Sequence, residues 1–415
     1  MIGFSSSAMS TLERAEFFVP GSKESGVIHM DLDRSFLPVP SAVNASIFES
    51  FVRQNITDSE TDVRSSIQQL VKDSYGFSAD GSSEIIYGNT SLALFNKLVL
   101  CCMQEEGTLL FPSGTNGHYV NAAKFVNATT LTIPTNSQSG FKIEPNVLAY
   151  TLENVSRPWV YISGPTINPT GFLYSDADIR ELLSVCARFG ARVVIDTSSS
   201  GLEFKDDGRI QWNLDTCIST VKPSKPSFSV VLLGELSFEL TTAGLDFGFL
   251  ILSDSSLVDT FYSFPSLSRP HSTLKYTFRK LLGLKNQKDQ HFSDLIVAQK
   301  ETLKNRANQL IKTLESCGWS TLGCHGGISM LAKPTAYIGK SLKVDGFEGE
   351  LNGHNIREAI LRSTGLCISS STWTGVQGYC RFSFALESGE FDRAMDCITR
   401  FRDLVLGTNA QVNGK

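Results

Sequence analysis

Across the middle of the chain, short and fully apolar runs alternate with stretches whose apolar positions recur every three to four residues. Those are the periodicities of buried strands and of amphipathic helices. Residues 84–87 (EIIY) read as a strand, and the turn Gly88-Asn89-Thr90-Ser91 leads into a helical run, LALFNKLVLCCM. Residues 108–112 and 129–133 add two strands, with helical pattern between and after them. The clearest unit spans 158–197. There the strand PWVYIS meets the turn GPTINPTG, and Ser175 with Asp178 forms a capping box. Ile179, Leu182, Leu183 and Cys186 follow at i, i+3, i+4 and i+7, and Gly190 stops the helix before ARVVID. Strand–helix–strand repeated in this way predicts an α/β fold, with a mostly parallel central sheet over about 84–254 and helices on both faces. Ligands of such sheets sit outside the carboxyl ends of the strands.

From about residue 255 the texture changes. A long amphipathic helix is predicted over 291–316, where Leu295, Leu303 and Leu310 recur. After it, ISMLAKP, NIREAILRST, YCRFSFAL and FDRAMDCITRFRDL alternate strand and helix on a smaller scale, the pattern of a smaller α+β domain joined by VIHMDLDRSF. The expected division is an N-terminal arm and part of the small domain at 1–50, a large domain at 51–285, and a small C-terminal domain at 286–415.

Composition narrows the function. A net charge of −5 over 415 residues argues against a nucleic-acid partner, because phosphate binding needs clustered Lys and Arg. No apolar run approaches the roughly 18–20 residues of a membrane helix. The start of the chain has no basic flank followed by an apolar stretch, so no secretory signal is read there. Nine cysteines without a CxxC pair point to buried small hydrophobes in a reducing, cytoplasmic setting. The six histidines show neither an i,i+4 pair nor HExxH, so no metal is expected.

Four segments then stand in order: the Gly88 loop opening a helix, Gly164-Pro165-Thr166-Ile167-Asn168-Pro169-Thr170-Gly171, Asp196 ending an apolar strand, and Tyr379-Cys380-Arg381-Phe382-Ser383-Phe384-Ala385. Together they resemble the class I/II aminotransferases, the pyridoxal-phosphate (PLP) enzymes of fold type I. The resemblance implies roles. Asn168 would bond the ring oxygen of PLP, and Asp196 would pair with the pyridinium nitrogen and keep the ring an electron sink. Gly88, Asn89 and Ser237 would lie at the phosphate, the amides at a helix N-terminus. Arg381 would fork onto a substrate carboxylate. Plainer roles stand beside these: Asn168 holding its turn, Asp196 capping the next helix, Arg381 in a structural ion pair.

The resemblance stops where the chemistry begins. Its Schiff-base lysine position is Phe238, and the position of a phosphate-binding Arg is Asp246. Asn116 stands where an aromatic would stack on the ring, and Ser199 where a tyrosine is expected. An Arg about 4 Å from a phosphate contributes roughly 4 kcal/mol at an effective dielectric near 20, and an Asp there reverses the sign. Lys222 and Lys225 precede Phe238 in a Pro/Ser-rich loop and make poor substitutes. No catalytic residue is therefore assigned, and no cofactor is expected on this chain.

The segments VYISGPTINPTG, ARVVIDTSSSGLEF, SFPSLSRPHSTLKY and NIREAILRSTGLCISSSTWTG resemble, more narrowly, the C-terminal aminotransferase-like region of the plant methionine S-methyltransferases. Those enzymes make S-methylmethionine from methionine and S-adenosylmethionine, with the methyltransferase fold in their N-terminal part. The resemblance implies a catalytically silent region with S-adenosylmethionine bound elsewhere in the same polypeptide, since no GxGxxG occurs here. It also implies a homo-oligomer, or a regulatory site for methionine or S-methylmethionine. Arg381 and Ser383 alternate with Cys380, Phe382 and Phe384 and share one strand face, expected to look into a cleft with Asn168 and Asp196. The alternative is an active PLP-dependent aminotransferase that uses another lysine.

Overall fold

The computed structural model describes residues 26–52, 60–79, 83–204, 212–221, 223, 227–242, 245–265, 270–370 and 375–407. Lys222 and Lys225 lie outside the described residues. The chain divides into two compact units. The larger comprises Ser35–Lys304 with His325–Gly327; the smaller takes the segment ending at Arg34, Asn305–Cys324 and the chain from Ile328 onward. The helix Gln290–Ser316 matches the predicted long helix and passes from one unit into the other. The division thus falls inside a helix, later in the chain than the 285–286 boundary read from the sequence.

Strand β1 (Ile28–His29) belongs to the smaller unit. The larger unit is organised by a seven-stranded sheet of β2 (Glu84–Gly88), β3 (Thr108–Pro112), β4 (Thr130–Ile133), β5 (Pro158–Ser163), β6 (Arg192–Asp196), β7 (Ser229–Glu235) and β8 (Gly248–Leu252). Their spatial order is β2-β8-β7-β6-β5-β3-β4. Neighbours from β4 to β7 run parallel, and β8 runs antiparallel to both β7 and β2. The mostly parallel sheet predicted over 84–254 is what forms.

Both faces of this sheet are buried because successive residues serve opposite cores. Val160, Ile162, Val193 and Ile195 pack on one side with the helix Asp176–Phe189. Trp159, Tyr161, Val194 and Leu233 pack on the other with the helix Ser91–Gln104. The Asp176–Phe189 helix carries its predicted capping box between Ser175 and Asp178, and ends at Gly190 with φ 68°. That left-handed conformation favours glycine.

In the smaller unit, β9 (Ser320–Thr321), β10 (Ser329–Lys333) and the later β14 form an antiparallel sheet in the order β14-β10-β9. Between them come the hairpin β11 (Ser341–Val344) with β12 (Phe347–Glu350), and β13 (Leu366–Cys367), parallel to β1. Strand β14 is Cys380–Ser383. The helices Ile356–Thr364 and Ser388–Leu406 cover these strands with Ile360, Phe391, Ile398 and Phe401. No helix among the described residues is long and apolar enough to cross a membrane.

Candidate functional site

The carboxyl end of the sheet is where Gly88, Gly248 and Glu235 stand in one row, since Gly248 on β8 is the register partner of both others. Glycine is required at 248. A Cβ there would meet Thr90 C and Ser91 N at 2.4 Å, so only its absence lets the backbone of Thr90 and Ser91 cross the strand. Thr90 caps the helix that begins at Ser91, its side chain accepting from Ala93 N at 2.9 Å. The Gly88 loop and the start of this helix therefore form a cup of donors above β7 and β8.

A carboxylate already lies in that cup. Glu235 Oε2 accepts from the Ser91 amide and from the Ser91 hydroxyl, both at 2.7 Å. Its Oε1 accepts from Ser237 Oγ at 2.5 Å. Burial, and then the negative charge of Asp246, push the Glu235 carboxyl up to about 7. Those two effects outweigh the hydrogen bonds from Ser237 and Ser91, which favour the ionised form.

From Ser91 the polar network continues toward Asp196. Ser91 Oγ and Tyr119 Oη lie 2.9 Å apart. Burial and then Asp196 and Glu235 raise the Tyr119 hydroxyl well above its usual value, so it stays protonated. Asp196 is itself buried, with Oδ2 accepting from Tyr161 Oη at 2.5 Å and Oδ1 from the amide and hydroxyl of Ser198 at 2.9 and 2.5 Å. Burial raises the Asp196 carboxyl, against the lowering effect of those hydrogen bonds. Asp196 does not cap the next helix among the described residues, Leu214–Ser219, which Asn213 caps; its contacts organise the turn after its own strand.

Other retained positions fall into place around this edge. Asn168 lies in the turn after β5, its amide donating to Ser163 Oγ at 3.3 Å, while Gly164 N donates to Asp196 O at 2.9 Å and ties that turn to β6. Asn116 does not stand in for a stacking ring. It caps the helix Gly117–Phe125, accepting from His118 N at 2.9 Å. The aromatic cluster is built by Tyr119, with Phe95 at 4.9 Å and Tyr161 at 5.3 Å between ring centroids.

These residues do not fit PLP. Phe238, in the short helix Ser237–Leu240, offers no amine. A lysine does reach this turn: Lys285 Nζ bonds Glu239, and that ion pair occupies it. The donors that would receive a phosphate hold Glu235 instead, and Asp246 adds a second negative charge beside them. A phosphate brought here would face a carboxylate in its own seat.

In the smaller unit, Arg381 is fully buried and already served. Its Nη1 donates to Asp33 Oδ1 at 2.8 Å, its Nη2 to the Asp31 carbonyl, and Nε and Nη2 approach Ser369 Oγ at 3.4 and 3.3 Å. These contacts are those of the plainer of the two expected roles, a structural ion pair, here with Asp33. Nearby, His29 Nδ1, Asp31 and Cys367 come within 4.8 Å of one another, a grouping that separation in sequence concealed. Arg357 Nη2 stands 3.7 Å from Asp31 Oδ2, and Cys367 Sγ donates to that same oxygen at 3.1 Å. The guanidinium already supplies the positive charge a metal would bring.

Comparison with known proteins accords with this architecture. The family model for aminotransferase class I and II matches residues 29–398. Methionine S-methyltransferase of Hordeum vulgare is 87% identical over 414 residues, covering 100% of this chain, and that of Arabidopsis thaliana is 48% identical over 98% of it. In both cases the chain spans only 38% of the relative's length. Among solved structures, the aromatic aminotransferase of Pyrococcus horikoshii superposes with a TM-score of 0.77 at 16% identity, covering 95% of this chain and 99% of that one. Aspartate aminotransferase of Thermus thermophilus superposes with 0.75 at 14% identity, covering 91% and 92%. At such identities the likeness is one of fold.

Proposed function

From the premise that this chain belongs to the aminotransferase class I and II family, we propose that it is a catalytically silent region of a methionine S-methyltransferase. The single observation that carries this reading is the pairing of Phe238 at the imine position with Glu235 seated in the phosphate cup. An internal imine needs an amine at this position and the phosphate needs an open anion site, and among the described residues Phe238 and Glu235 stand in those places. Methyl transfer with S-adenosylmethionine then belongs to the remainder of the longer polypeptide, in the cytoplasm.

Of the two non-catalytic roles, assembly is favoured over amino-acid sensing. The pairing of Arg381 with Asp33 supports this, because the group that would recognise an α-carboxylate is already neutralised. The region then acts as a homo-oligomerising scaffold for the attached methyltransferase region.

The test is incubation with PLP, borohydride reduction and peptide mass spectrometry. No lysine of the pocket should carry a stoichiometric pyridoxyl group, and no visible absorbance should stay with the protein after gel filtration. A stoichiometric pyridoxyl group on Lys285, or on any other lysine of the larger unit, would overturn the reading.

A further inference from the structure

A helix N-terminus with two hydroxyls converging on one point is an arrangement built for an anion. In this chain the anion is intramolecular. Ser91 N, Ser91 Oγ and Ser237 Oγ divide between the two oxygens of Glu235, all within 2.7 Å. The sheet holds Glu235 there, since it ends β7 opposite Gly248, and Gly248 lies under Thr90 and Ser91. Reaching the cup requires no loop to close.

We propose that Glu235 is a built-in occupant of the anion cup, taking the place of a phosphate monoester and closing the cup to that ligand class. The inference rests on the reading of a region that works without PLP, and it says what completes the fold in the cofactor's place. Removing Glu235 should therefore leave the donors intact and waiting. Asp246, which makes none of these three hydrogen bonds, should modulate the cup without closing it.

The experiment is a thermal-unfolding titration with inorganic phosphate at mildly alkaline pH, against chloride of matched ionic strength, on the whole chain. The wild type and Asp246→Asn should show no phosphate-specific shift. Glu235→Ala and the Glu235→Ala/Asp246→Asn pair should show a saturable rise of roughly 2 °C or more. Should Glu235→Ala fail to fold, Glu235→Ser empties the cup while leaving a hydroxyl at the strand end, and its phosphate binding is read by phosphorus NMR line broadening. Equal phosphate stabilisation of the wild type and the double variant overturns the proposal. So does a folded variant lacking Glu235 that ignores phosphate. No lysine enters this measurement, so a pyridoxyl-lysine in the wild type would sink the silent-region reading while leaving these outcomes unchanged.

Discussion

Asp33 and Arg381 stand 348 positions apart in the chain, yet Oδ1 of the first lies 2.8 Å from Nη1 of the second, and the guanidinium is fully buried. Removing one partner of such a pair leaves a charge without compensation, which typically costs about 3–5 kcal/mol. Asp33→Ala should lie near the upper figure, because the guanidinium it leaves behind is fully buried, whereas Asp33 retains 11% exposure. Urea unfolding of Asp33→Ala and Arg381→Ala measures this. Unchanged stability in both, together with Arg381-dependent heat on titrating methionine, would return Arg381 to a ligand-binding role.

Stability should depend on pH through Glu235. Its folded value is raised to about 7 from the 4.5 of an unperturbed glutamate, so the folded state binds the extra proton between those values. The contribution is fully present below the lower value and is lost as pH rises through about 7. A displacement of that size corresponds to about 3 kcal/mol as an order of magnitude. Glu235→Gln should flatten this part of the stability–pH profile, and an unaltered slope would assign it to other groups.

Restoring the missing amine alone should fail. Phe238→Lys places an ammonium in the Ser237–Leu240 turn but leaves Glu235 hydrogen-bonded to Ser91 and Ser237. After PLP addition, the single variant should develop little visible absorbance. Phe238→Lys combined with Glu235→Ala and Asp246→Arg should develop more. Equal absorbance in both proteins would show that the cup does not limit binding.

The cup should be sensitive to one methyl group. Gly248→Ala would place a carbon 2.4 Å from backbone atoms of Thr90 and Ser91, which cannot move as a flexible side chain could. Overpacking of this kind costs about 1–3 kcal/mol. Chemical denaturation should show a loss in that range, whereas Gly283→Ala, within the helix Ser272–Asn286 and with nothing within 4 Å of the new Cβ, should be neutral or gain up to about 1 kcal/mol.

The strands were legible because the centres of buried parallel strands are apolar on both faces, as WVYI and VVI are. The helix 176–189 was legible through its capping box and its terminal glycine. The departures at Phe238 and Asp246 were plain as well, since a missing amine needs no geometry to recognise. Glu235 was overlooked although it stands two residues before Ser237. Its signal was an acid closing a strand of otherwise apolar residues, next to a serine already assigned to the phosphate. Tyr119 was missed for a related reason: Asn116 is the better match in sequence, while the helix that Asn116 caps carries the ring inward. Asp33 had no local signal, because pairing across most of the chain is decided by topology and not by spacing.

The continuity of the Gln290–Ser316 helix across Lys304 bears on how the region can be divided. Leu303, Ala307, Leu310 and Leu314 are all buried along it, on both sides of the division. A cut at the border between the units would split one helix and strip the apolar face of each half. Where truncations or chimaeras are made, the border belongs at an end of this helix and not at Lys304, since only then does its buried face stay in one piece.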